Sequence, residues 1–149
     1  MTDLEFVIGM RKSLKQQYLQ ISMLAIETRS EISKEAGGKD AQCDVDELDH
    51  NISDFGMVNG HIDKLMMLGE LYFDMDSESD QKKIHVKMNE CKSSIDLCYN
   101  MYAELWKNPN RWYGERDYRS VEIMNKIVAY WDTAIDFMYG YFDLKSETT

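Results

Sequence analysis

Apolar residues recur along this chain at steps of three, four and seven in four separate runs, and each run predicts one amphipathic helix. In the first, Val7, Met10, Leu14, Tyr18, Ile21, Ala25 and Ile32 form a core stripe, with Lys12, Lys15, Gln16, Gln20 and Glu27 on the other side. Thr2-Asp3-Leu4-Glu5 has the form of a capping box and sets its start, and Gly37-Gly38 ends it after Ala36. The second run begins near Asp44, with Glu47 placed as in a second box, and carries Val45, Leu48, Ile52, Phe55, Ile62 and Met66. Asn59 interrupts that seam, where a polar residue fixes register at some cost in stability. Gly56 and Gly60, one turn apart, suggest a close approach by a neighbouring helix.

The third run follows the acidic turn from Asp74 to Asp80 and reads Ile84, Met88, Cys91, Ile95, Cys98, Tyr102 and Leu105 until Pro109 stops it. The fourth starts near Asp117 and carries Val121, Met124, Val128, Trp131, Ile135, Met138 and Phe142. Four long helices with short connections predict an all-α, up-down-up-down four-helix bundle. One such domain would span residues 1–144, with residues 145–149 as a flexible tail.

The fourth helix has a second apolar stripe, Ile123, Ile127, Tyr130, Ala134, Phe137 and Tyr141. A helix with one broad apolar face suffices in a bundle, so the extra stripe predicts self-association as a two-fold homodimer. The other outcome of this pattern is a fourth helix at the centre of the bundle, with the stripe internal.

Composition then narrows the function. The 149 residues carry a formal net charge of −10, and residues 40–80 hold twelve acids against one base, Lys64. Such a field repels nucleic acid and anionic membrane and attracts a basic protein surface. Asp49, Asp63 and Glu70 share one heptad position and read as an outward acidic stripe, to which Asp46, Asp74 and Asp76 add further charge. Between the third and fourth helices, Trp106, Trp112 and Tyr113 cluster with Arg111 and Arg116, the residue types that dominate binding hot spots. The two features together predict a non-enzymatic protein-binding module: an inhibitor, adaptor or assembly factor. One form of it blocks a nucleic-acid-binding enzyme, as a phage or mobile-element protein would.

Other chemistry is thinly represented. Three cysteines, no apolar run approaching the roughly 18 residues of a membrane span, and no secretory leader predict a cytoplasmic chain with inert thiols. Cys91 and Cys98 would lie about 10 Å apart on one helix, too far for a disulfide. Asp74, Asp76, Glu78 and Asp80 alternate like half a calcium loop, but Ser79 and His85 stand where that loop needs a glycine and an acid. No cofactor or metal is expected. The competing reading is a magnesium-dependent enzyme of the all-α nucleotide pyrophosphatase type. It would place Glu27 and Glu31 on the first helix against Asp46 and Asp49 on the second, and it requires these acids to converge within about 4–6 Å.

Overall fold

The computed structural model describes residues 1–35, 39–106 and 118–144, and the side chains of residues 1–34, 45–102 and 121–144. The described residues form four helices and no strand: α1 (Asp3–Glu35), α2 (Lys39–Asp74), α3 (Glu78–Trp106) and α4 (Tyr118–Tyr141). The Thr2 hydroxyl accepts the Glu5 amide at 3.1 Å and caps α1. The Ser77 hydroxyl accepts the Asp80 amide at 3.2 Å and caps α3, so the acidic turn is a helix start. The second helix begins at Lys39, five residues before the box at Asp44, since nothing in Lys39-Asp40-Ala41-Gln42 breaks a helix.

Neighbours run antiparallel. Arg29 pairs with Asp49 and Arg11 with Asp63 and Glu70 across α1 and α2. Gln81 donates to the Tyr72 carbonyl and the Cys91 thiol to that of His61 across α2 and α3. His85 reaches the Phe142 carbonyl, and Tyr99 donates to Asp132, across α3 and α4. The bundle is not square. α4 packs on α1, on α3 and, across the diagonal, on α2, whereas α1 and α3 make no comparable contact.

That short diagonal explains the double stripe of α4. Ile123, Ile127 and Ala134 are wholly inaccessible and Tyr130 nearly so, together with Met124, Trp131, Ile135 and Met138 of the first stripe. The expectation that Ile123, Ile127, Tyr130, Ala134 and Phe137 pair with a second copy is therefore corrected. The chain's own α1, α2 and α3 cover these side chains, and of that set only Tyr141 stands among the exposed residues.

The close approach of helices also lies elsewhere than expected. Gly60 has open space at its Cβ position and Gly56 only an ordinary contact with the Tyr18 hydroxyl, at 3.4 Å. At Gly69 an added Cβ would sit 2.5 Å from Cζ of Phe142, a ring fixed just after the last turn of α4. Asp143 follows it in the left-handed region, at φ 55°, and the Leu144 amide returns to the Tyr139 carbonyl at 2.7 Å, a Schellman closure that holds the ring in place. Gly69→Ala is therefore expected to destabilise the fold by about 1–3 kcal/mol through overpacking. Gly60→Ala should stabilise α2 by roughly 0.5–1 kcal/mol. Urea unfolding of the two variants measures both.

Candidate functional site

The start of α1, the end of α2, the start of α3 and the end of α4 meet at one end of the bundle, and their aromatic residues pack there as a plug. Phe6 lies 5.8 Å from Phe137 and 5.4 Å from Tyr141, ring centre to ring centre. Phe73 stands between Tyr141 and Phe142 at 5.9 and 5.7 Å, and Tyr72 adjoins both Phe142 and His85. Phe6 and Tyr141 remain more than a third exposed, 38% and 37%, so the plug shows ring surface to solvent. The Tyr141 hydroxyl donates to Asp3 at 2.7 Å, and that bond is the main reason its proton is held above the usual tyrosine range.

Exposed carboxylates rim this plug: Asp3 and Glu5 from α1, Asp74 as the last residue of α2 and Asp76 just after it, Glu78 and Asp80 from α3, and Asp143 after α4. Their positions differ in physical meaning. Acids in the first turns of α1 and α3 complement the positive ends of those helix dipoles. Asp74 and Asp143 stand at the negative ends of α2 and α4, whose last turns contain no basic residue. Each such placement is unfavourable by roughly 0.3–1 kcal/mol. Early in α3, Lys83 touches Asp80 at 4.0 Å in a mostly exposed contact.

The acidic stripe of α2 is placed differently from the sequence expectation. Asp63 takes two hydrogen bonds from Arg11, at 2.8 and 3.2 Å, and Glu70 takes a third at 3.1 Å. Asp49 takes Arg29 Nε at 2.9 Å. The stripe faces α1 and latches it to α2. The hydrogen bond to Asp63 is the main cause that raises the Arg11 pKa above the usual arginine value, against the opposing effect of its partial burial. Asp46 is exposed on α2 near the other end of the bundle. Asp74 and Asp76 are the predicted acids that belong to the aromatic end.

Glu27, Asp46 and Asp49 are exposed and Glu31 is half-buried. No group of three His, Cys, Asp or Glu side chains among the described residues could hold a metal ion, and Asp49 is bound to Arg29. Trp106, Arg111, Trp112, Tyr113 and Arg116 lie outside the residues whose side chains are described.

Sequence reasoning missed three features. The plug was legible in principle, because Phe6, Tyr72-Phe73 and Tyr141-Phe142 all fall at the same end of an up-down-up-down bundle. His85 closes the end of α4: Asn89 donates an amide hydrogen to its Nδ1, which leaves Nε2–H to donate to the Phe142 carbonyl at 3.1 Å. The third is an internal ion pair. Lys92 Nζ lies 2.8 Å from Asp96, with the two side chains 9% and 2% exposed, and the Tyr139 hydroxyl donates to Asp96 at 3.0 Å. Nothing in an i,i+4 Lys–Asp spacing separates such a pair from an ordinary surface one. No described helix is long and apolar enough to cross a membrane. Comparison with protein-family models, with curated proteins and with solved structures returns no match for this chain.

Proposed function

We propose that this chain is a non-enzymatic binding protein of the cytoplasm, an inhibitor, adaptor or assembly factor that docks a basic protein surface on the acidic, aromatic end of its bundle. The single observation that carries this reading is the placement of Asp74 and Asp143 at the negative ends of α2 and α4, beside exposed rings of Phe6 and Tyr141. Acids there oppose the helix dipoles, so their charge works against the isolated fold and is relieved when a cationic group arrives. The exposed rings add a face on which an arginine or lysine of the partner can stack. A net charge of −10 steers such a partner from a distance and turns nucleic acid away. Proteins whose basic surface otherwise meets a phosphate backbone fit this site, which makes a nucleic-acid-binding enzyme the natural class of target.

The test compares two baits in extract at low salt, the wild type and the triple variant Asp74→Lys, Asp76→Lys, Asp143→Asn. Asparagine at 143 tolerates the left-handed backbone, so the fold is preserved. The wild type should retain basic proteins that are released as ionic strength rises and the Debye length falls to a few ångströms. The variant should bind its recovered partner about tenfold more weakly, three altered charges at roughly 0.5 kcal/mol each. Equal retention by both baits would reject this end of the bundle as the site.

A further inference from the structure

A cavity of about 130 Å³ opens between α1 and α2, floored by Tyr130 of α4. It has the size of a site for one six-membered ring, since apolar cavities of similar volume take up benzene. Its walls are apolar, from Leu14, Ile62 and Met66, with the half-exposed Leu19 at the mouth. Its polar groups are mostly donors. Asn59, the residue that interrupts the seam of α2, accepts the Tyr130 hydroxyl proton through its side-chain oxygen. The two amide hydrogens of Asn59 have no partner among the described residues, and neither does the Lys15 ammonium at the rim. Asp63 also lines the cavity, but two Arg11 hydrogens engage its carboxylate and Arg11 itself borders the space.

We propose that this cavity is a binding site for a small aromatic carboxylate. The ring sits against Leu14, Ile62 and Met66, and the carboxylate accepts from Asn59 and pairs with Lys15. Size sets the ring, and the unused donors and the ammonium set the acidic head. The site lies between α1 and α2 and away from the plug, so it stands independently of the docking reading above.

The experiment titrates amide-resolved NMR spectra of the full chain with benzoate, and separately with benzyl alcohol as a neutral analogue. Benzoate should give saturable shifts centred on residues 11–19 and 59–66. Lys15→Met, at an exposed position, should weaken benzoate about three- to tenfold and leave benzyl alcohol unchanged. Asn59→Asp keeps the acceptor for Tyr130 but exchanges donors for charge, so it should abolish benzoate binding while the alcohol still binds. Leu19→Trp should cover the mouth and weaken both. The proposal is overturned if benzoate produces no saturable shifts below about 10 mM, a weak limit even for a ligand of this size. It is overturned equally if the shifts centre elsewhere, or if Lys15→Met leaves the benzoate affinity unchanged.

Discussion

Ile127→Glu is expected to unfold the protein or to lower its stability by at least about 4 kcal/mol, a large part of what a domain of this size possesses. Ile127 is wholly inaccessible within one chain, enclosed by α4 and its neighbours. A carboxylate there meets no water and no cation, and its burial without a partner costs several kcal/mol even when it takes up a proton. Ala129→Glu is the control. Residue 129 lies on the exposed strip of the same helix, and its substitution should stay within about 0.5 kcal/mol of wild type. Urea melts followed at 222 nm would separate the two. A stripe facing a second copy would give the opposite pattern, a folded monomer from Ile127→Glu.

The second large effect concerns the ion pair inside the α3–α4 seam. Asp96→Ala should destabilise by roughly 3–5 kcal/mol, because it strands the Lys92 ammonium at a site where that side chain is 9% exposed. Lys92→Met with Asp96→Leu replaces both charges by apolar groups of similar size. That double variant should recover most of the loss and lie within about 1 kcal/mol of wild type. Tyr139 keeps a partner in either case, since its hydroxyl also lies 3.3 Å from the Lys92 carbonyl. A double-mutant cycle with both single variants gives the coupling. If Asp96→Ala proves mild, water must reach the pair and the seam is more open than its burial implies.

Much of the fold was legible because helical periodicity is a local property. Thr2 announced α1 through its own hydroxyl, and the first stripe of α4 is buried much as its spacing predicts. What the pattern did not disclose is which neighbour each face meets. Arg11 and Arg29 lie five turns apart on one side of α1, and they reach Asp63, Glu70 and Asp49 only once α1 and α2 are antiparallel in one register. The acidic stripe read as outward; it is partly exposed, and it also pairs with the arginines of α1 across the seam. The same ambiguity attended Ile123, Ile127 and Ala134: a helix apolar on most of its circumference packs either inward on several neighbours or outward on a second copy, and the short α2–α4 diagonal buries these three inside one chain. Gly69 shows a third limit. Its proximity to Phe142 joins residues 73 positions apart, and nothing near Gly69 in sequence signals it.

Of the candidate site, Asp74 and Asp76 were found from charge alone. The exposed rings beside them were not, because Phe6 and Tyr141 come together only through the antiparallel packing of α1 on α4.

The central structural claim is that both apolar stripes of α4 are internal, packed on α1, α2 and α3, and native-state hydrogen exchange tests it most directly. Amides from Ile123 to Tyr139 should exchange the slowest in the molecule, with opening free energies equal to that of global unfolding. Residues at the ends of α1 and around the Asp74–Glu78 turn should open at much lower free energy. If α4 instead exchanges through local opening, well before α1 and α2, its second stripe is not part of the cooperative core.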